Sequence, residues 1–445
     1  MTGRQGDFMR WYAVGLLTVA YTFSYIDRQI LSLMVGPIRA DLGISDTQFS
    51  LLQGLAFAVL YTAMGVPIAW LADRGNRRNL IATGVAVWSL ATALCGLTRT
   101  FPALFLARVG VGVGEAALSP AAYSMLTDMF PRERLGRAFG IYASGVFIGI
   151  GLSFVLGAEL LAFFEQRDGL SLPLLGTLRP WQSVFVTIGF PGLILSLLVL
   201  TLREPARSSR HRDLGQASFA RALQHFGRHW EVFVFHFAGF AMMTLLFNAI
   251  MSWAPEYLIR IHDVPRAEAG RALGIIAVVF GGSGIVAGGL FSDFLTRRGY
   301  RDAPLRAGLA GAVILLPVAV LTPLTPYPLT LLMFCPLLFF ASFPFGPAAL
   351  AIQLISPSNM RAQLSALYLF VVNLTGIGFG GTAVALFTDF IYQSDDRLHH
   401  AMATVGAIGG LLSLVALLIC LRGFARLVEL QENADLNPGP RLAAN

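Results

Sequence analysis

Between Phe101 and Leu126 the chain is almost wholly apolar, yet it carries Arg108 and Glu115. Seven residues make close to two turns of α-helix, so the two charges share one face, about 10 Å apart. A charge near the bilayer centre costs at least about 2.5–3.5 kcal/mol, so such residues face the protein interior, pair, and mark a transport path. A second charged couple, Asp27 and Arg28, lies in the first apolar run. The four charges sum to zero, which fits a single network. The chemistry open to it is proton exchange at Asp27 and Glu115, with anion binding or charge balance at Arg28 and Arg108. In a low dielectric, neutralising a carboxylate leaves its arginine uncompensated and ready for a phosphate or carboxylate, whose geometry the guanidinium fork matches. The plainer alternative is an ion-pair cluster that only ties two helices together, although buried pairs are weak evidence for stability.

Composition says what must position these residues. Of 445 residues, 56% are hydrophobic and 13% charged, against about 25% charged in soluble domains. Mean hydropathy is +0.67, a membrane composition. Net charge is +7 and every basic residue is arginine. The arginines fall in particular loops rather than along one basic face, so no nucleic-acid partner is expected. Cys95, Cys335 and Cys420 all lie in apolar segments, which suggests neither a disulfide framework nor a metal site. No serine–histidine–aspartate, histidine-pair or phosphate-loop constellation stands out, so the chain is not expected to be an enzyme. The first apolar run is too long for a signal-peptide core and holds charge, so it reads as a retained helix.

Apolar runs of spanning length, about 20 residues for about 30 Å, number twelve. They lie at 11–36, 47–72, 79–98, 101–127, 135–163, 181–203, 231–258, 270–292, 305–323, 328–355, 361–391 and 399–422. Arginines cluster after even-numbered spans: Arg74, Arg77 and Arg78; Arg132, Arg134 and Arg137; Arg297, Arg298 and Arg301. The positive-inside rule places those loops and both termini in the cytoplasm; the expected location is a plasma (inner) membrane. A six-span bundle over 1–203, a polar cytoplasmic linker over 204–230, a second six-span bundle over 231–425 and a cytoplasmic tail over 426–445 follow. The halves echo each other, with Asp73 and Arg77 recurring at Asp293 and Arg297, each after the second span of its half. Two parallel six-helix repeats describe a transporter with its site between them.

The segment Ala69 to Arg78, with Asp73, Arg74, Arg77 and Arg78, resembles the signature after the second helix of the major facilitator superfamily, Gly-x-Leu-Ala-Asp-Arg-x-Gly-Arg-Arg. It departs at Ala69, where glycine is usual, and at Gly75–Asn76, where the order is reversed. Within that superfamily, Tyr25-Ile26-Asp27-Arg28 together with the stretch from Arg108 to Ala116 resembles the spinster-type lipid transporters, as a bacterial member. The resemblance implies an all-α fold of twelve transmembrane helices in two pseudo-symmetric bundles. It also implies proton roles for Asp27 and Glu115 and a charge network at Arg28 and Arg108. A cytoplasmic gate of Asp73, Arg74, Arg77, Arg134, Arg137, Asp293, Arg297 and Arg361 is implied too, with Arg134 or Arg137 facing Asp73 and Arg361 facing Asp293.

At 1.5 Å per residue, Asp27 lies about 24 Å along an outward first helix and Arg108 about 10 Å down an inward fourth one. Asp27, Arg28 and Arg108 are therefore expected at one depth, with Glu115 alone nearer the midplane. Gly110, Gly112 and Gly114 read as close helix packing, and Pro120 as a bend below Glu115. The second half has no charge deep in its spans, but it is rich in phenylalanine. Tyr25, His236, Asn248, Phe340 and Asn373 are candidate cavity-lining residues. The expected protein is a proton-coupled secondary transporter, monomeric in the lipid bilayer, with protons as coupling ion and no other cofactor. Its expected substrate is an amphipathic anion such as a lysolipid or a sphingolipid-like phosphate. Alternatives are a multidrug exporter, disfavoured because the glycines from Gly145 to Gly151 lack the exporter proline, an organic-anion symporter, or a membrane sensor.

Overall fold

The computed structural model of the chain describes residues 4–173, 176–205, 219–357 and 360–436. Helices dominate it. In the first half these are α1 (Arg4–Gln29), α2 (Val35–Leu42), α3 (Asp46–Gln53), α4 (Leu55–Arg74), α5 (Arg77–Cys95) and α6 (Phe101–Glu115). They continue as α7 (Leu118–Met129), α8 (Arg132–Glu165) and α9 (Pro180–Val199). A short antiparallel hairpin, β1 (Leu170–Leu172) and β2 (Gly176–Leu178), joins α8 to α9. The second half holds α10 (Phe219–Arg228), α11 (Trp230–His262), α12 (Arg266–Ile276), α13 (Gly282–Arg297), α14 (Ala303–Leu321) and α15 (Leu329–Ser342). It ends with α16 (Phe345–Ile355), α17 (Arg361–Asn373), α18 (Phe379–Leu386) and α19 (Leu398–Leu436).

Among the described residues, eleven helical stretches are long and apolar enough to cross a membrane. Helix α1, at 26 residues, also has spanning length, about 39 Å, but carries Asp7, Arg10, Asp27 and Arg28. Together they occupy the twelve predicted positions.

Local sequence explains where these helices break. Gly43 ends α2 in the left-handed conformation at φ +62°, which glycine adopts without a Cβ penalty. Ser45 and Gln48 form a reciprocal capping box that starts α3. Between α3 and α4 the chain kinks at Gly54, where a Cβ would come within 2.6 Å of the Gly378 carbonyl oxygen. The reversed Gly75–Asn76 pair has a local reason: the Asn76 side chain accepts from the Asn79 amide and caps α5, a position asparagine suits. The expected bend before Pro120 is an interruption at Ala116–Ala117, between α6 and α7. Proline has no N–H to continue the ladder there.

The alternating glycines of α6 serve two neighbours. A Cβ on Gly112 would meet the Phe57 carbonyl of α4, and one on Gly114 would meet the Trp88 amide and Gly84 carbonyl of α5. Such close backbone approach is how helices associate where lipid removes the hydrophobic drive.

The chain divides into two compact units that do not coincide with its sequence halves. One comprises Met1–Ser208, Ala249–Val279 and Ile377–Ala401; the other comprises Ser209–Asn248, Phe280–Gly376 and Met402–Asn445. Two of the internal boundaries fall in π-helical turns, Ala277–Gly281 and Leu374–Gly378. Such turns often mark functional sites within helices.

Candidate functional site

Helices α1 and α6 of the first unit bring the membrane charges together. Glu115 is buried, and its Oε2 accepts from Arg28 Nε at 2.6 Å and from the Ser24 hydroxyl at 2.5 Å. The Arg28 guanidinium lies over three rings, Tyr25 at 4.9 Å, Phe57 at 4.6 Å and Tyr61 at 4.7 Å. Attraction to the ring faces holds the cation in place. The expectation that Glu115 stands alone is therefore corrected. Helical side chains lean toward the N-terminus of their own helix. Arg28 accordingly reaches back one turn to the level of Ser24, where Glu115 meets it.

Arg108 has a different set of partners from those expected. Completely buried, it donates from Nη1 to the Asp27 backbone carbonyl at 3.2 Å and from Nε to the Leu52 carbonyl at 3.4 Å. Both acceptors sit in the last turns of helices, α1 ending at Gln29 and α3 at Gln53, where carbonyls lack intrahelical partners and the dipole is negative. Arg108 caps two interrupted helices with one guanidinium. Its Nη2, the Asp27 Oδ1 and the Glu115 Oε1 remain buried without a hydrogen-bond partner. Each such atom costs free energy until a proton, water or ligand satisfies it.

Residues that the sequence reading overlooked complete the surroundings. Tyr21 stacks on Tyr142 at 4.6 Å and meets Tyr25 edge-on at 5.3 Å, while Tyr123 touches Tyr142 at 5.2 Å. Tyrosines scattered over four spans carry no sequence signal of proximity; only Ser24, four residues before Arg28 on the same helical face, was recoverable from spacing. Tyr25 joins the cluster. The other predicted lining residues belong to the second unit. There His236 packs between Phe240 at 4.9 Å and Tyr368 at 5.2 Å. Asn248 donates to the Thr244 carbonyl of its own helix at 2.9 Å. Phe340 meets Phe339 at 5.0 Å, and Asn373 closes α17 before its π-turn.

The predicted gate residues are placed unevenly. The side chain of Asp73 lies outside the described residues. Arg134 takes Asp7 at 3.2 Å and Arg137 lies 5.3 Å over the Trp11 ring; their expected partnership with Asp73 falls outside the described residues. Arg74 covers its helix neighbour Trp70 at 4.2 Å. Arg77 is the buried hub: it binds Asp128 at 2.5 Å, Glu204 at 2.7 Å and the Ser124 hydroxyl at 2.9 Å. Its repeat counterpart Arg297 is exposed, as is Asp293. Arg361 donates to the Ser356 carbonyl at 3.2 Å, and no Asp293–Arg361 ion pair forms among the described residues. The repeat therefore preserves the arginine at 77 and 297 but not its surroundings.

At the other end of the first unit lies a charge network that the sequence reading missed. Asp46, fully buried at the start of α3, binds Arg260 through both carboxylate oxygens at 2.8 and 3.0 Å and Arg39 at 3.0 Å. Arg39 also binds Asp395 at 2.9 Å, and Arg260 binds Glu256 at 3.1 Å. The Thr47 amide donates to Asp389 at 2.7 Å. Below this layer the Ser50 hydroxyl meets Thr382 at 3.2 Å, and Gly54 packs on the Gly378 backbone. Carboxylate oxygens of Asp46, Asp389 and Asp395 come within 4.8 Å of one another. Arg39 and Arg260 already supply the positive charge there. These contacts fasten the start of the second span to α11 and to the α17–α19 segment.

The Major Facilitator Superfamily model matches residues 17–381. The chain belongs to that superfamily. This facilitator chain superposes on the crystal structure of a bacterial homolog of the human lysosomal transporter Spinster, inward-facing and unoccupied. The TM-score is 0.73 at 26% identity, over 98% of this chain and 99% of that one. It is 28% identical over 426 residues to an MFS-type efflux pump of Mycolicibacterium smegmatis, covering 91% of this chain and 92% of that protein. It is 27% identical over 311 residues to a probable L-galactonate transporter of Escherichia coli K12, covering 66% and 64%. The facilitator chain is thus a multi-pass membrane transporter of spinster-like type and not an enzyme.

Proposed function

We propose that this chain is a proton-coupled secondary active transporter that moves an amphipathic anion, such as a lysolipid or a sphingolipid-like phosphate, by alternating access. The observation that carries the reading is the ion pair of buried Glu115 with half-buried Arg28 at 2.6 Å, set beside unpartnered polar atoms on Asp27, Arg108 and Glu115. A proton on Glu115 removes the charge that holds Arg28 Nε. The guanidinium stays within its three rings, now uncompensated, and is free to fork onto a phosphate or carboxylate. Deprotonation restores the pair and expels the anion. Asp27, whose backbone oxygen is already tied to Arg108, is the second proton acceptor. Protons are the only coupling species invoked, and the working unit is a monomer.

Orientation follows the arginine-rich loops, with both termini in the cytoplasm of a plasma (inner) membrane. The Asp46 network then closes the outer side, and Arg77 and its partners belong to the cytoplasmic gate. A second reading, an organic-anion symporter for hydroxy acids, draws support from the relative named as a probable L-galactonate transporter, and it uses the same guanidinium chemistry. An exporter draws support from the mycobacterial efflux pump.

Proteoliposome uptake with an imposed pH gradient tests the proposal, using lysophosphatidate, galactonate and a cationic dye as probes. The gradient is expected to accelerate uptake of one anion. Glu115→Gln and Asp27→Asn should each abolish that acceleration. If both variants keep full pH-dependent uptake, the coupling scheme fails; acceleration of the dye alone would favour the exporter.

A further inference from the structure

A recess lies in the second unit. Between the end of α10, the start of α11 and the later turns of α19 is a cavity of about 410 Å³, lined by Arg228, His229, Trp230, Glu231, Arg426 and Leu430 among others. Two guanidinium groups face one carboxylate. Burial, reinforced by the charge of Arg228, pushes His229 below the ordinary imidazole range, so the ring is neutral near pH 7. The nearby carboxylates Glu429 and Glu432 are engaged by Arg301 at 2.8 and 3.8 Å. Among the described residues neither Arg228 nor Arg426 has a carboxylate partner.

Three observations set this cavity at the level of lipid headgroups. Helix α19 runs 39 residues, and its uncharged stretch, 401–421, ends at Arg422. About 20 residues cross the hydrocarbon, so Arg426, one turn beyond Arg422, lies just outside it. Trp230 opens α11 and is 51% exposed, the place and residue type of an interfacial aromatic belt. Helix α10 turns Phe226 inward onto Phe233 and Phe237 while Phe219 and Leu223, four residues apart, remain exposed. An apolar pair on the outer face of a basic helix suits a helix lying in the interface.

We propose that this cavity binds the phosphate headgroup of an anionic phospholipid, held by Arg228 and Arg426, with the acyl chains running along α11 beside Trp230. Basic recesses at the membrane surface attract acidic headgroups, at about 1 kcal/mol per arginine. Assigning the lipid to the cytoplasmic leaflet rests on the orientation proposed above; the binding itself does not. A lipid seated there would bridge the linker helix α10 to α19.

Trp230 supplies the readout. The full chain is placed in phosphatidylcholine nanodiscs doped with brominated phosphatidylglycerol or with brominated phosphatidylcholine. The Trp230 contribution is the difference from Trp230→Phe. Stronger quenching by the brominated phosphatidylglycerol is expected, by about fivefold in relative affinity per arginine. The preference should vanish in the Arg228→Gln, Arg426→Gln double variant and rise in Glu231→Gln. Equal quenching by the two lipids overturns the proposal, as does a preference that survives in the double variant. So does loss of the preference on adding inorganic phosphate, which would make this a soluble-anion site. Should the double variant misfold, Glu231→Gln decides alone, an unchanged preference counting against. Uptake by Glu115→Gln reports on the transport reading separately.

Discussion

Arg108 is the residue whose meaning changed most. Its type and depth suggested an anion ligand or a partner for the Asp27 carboxylate, and the sequence could not say more. In the fold it is spent on two backbone carbonyls, at Asp27 and Leu52, while Arg28 takes Glu115. Replacing Arg108 by methionine keeps volume but leaves two helix ends uncapped and the buried carboxylates with one fewer compensating charge. Breaking a buried charged network from one side costs about 3–5 kcal/mol. Thermal melts in detergent should show a clear drop in Tm, larger than that of Arg28→Met, whose side chain is partly exposed. Arg108→Lys should not restore it, because one ammonium cannot reproduce a fork aimed at two separate oxygens. Equal melting of Arg108→Met and the parent would refute the capping role.

The α6 helix shows how far pattern reasoning reaches at the level of elements. Alternating glycines cannot share one helical face, and their close-packing role was readable from small-residue rules. Which neighbours they admit was not: Gly112 faces α4 and Gly114 faces α5. Gly114→Val would press a branched side chain into the Trp88 amide and the Gly84 backbone. Forced overpacking of this kind costs about 1–3 kcal/mol. Folded yield and Tm should both fall, whereas Gly140→Val, with open space around its Cβ position, should be tolerated; size-exclusion profiles of the two variants make the comparison. The reversed Gly75–Asn76 order looked like a departure from a signature and is a working N-cap. The kink at Gly54 gave no warning, since a single glycine in an apolar run is ordinary in membrane helices.

For the molecule as a whole, the Asp46 network is the main feature that spacing could not reveal. Asp46, Arg39, Arg260 and Asp395 are separated by up to hundreds of residues and each sits at a span end, where charge is unremarkable. Their convergence fastens α3 to α11 and to the turn before α19. Asp46→Ala leaves Arg39 and Arg260 facing each other without the buried carboxylate. Spin labels at the exposed positions Ala40 and Asp396, in a background lacking Cys95, Cys335 and Cys420, should report a longer or broader distance in that variant than in the parent. An unchanged distribution would mean the backbone contact of Gly54 with Gly378 suffices to hold this end. Asp46→Asn, which keeps hydrogen-bond acceptance while losing charge, should fall between the two.

By itself the sequence determined the membrane class, twelve helical positions, the superfamily and the presence of four charges inside the spans, because hydropathy, helical period and the cost of intramembrane charge are local quantities. Tertiary structure decided who pairs with whom. Side-chain lean along each helix assigned Arg28 to Glu115, and helix breaks exposed the carbonyls that claim Arg108. Packing across remote spans gathered the tyrosines and built the Asp46 network. The Asp73–Arg77 repeat makes the division plain: identical residue types recur 220 positions apart, yet Arg77 is a buried hub and Arg297 lies in the open. Only the neighbours supplied by the fold, Asp128 and Glu204 in one half and solvent in the other, made the difference.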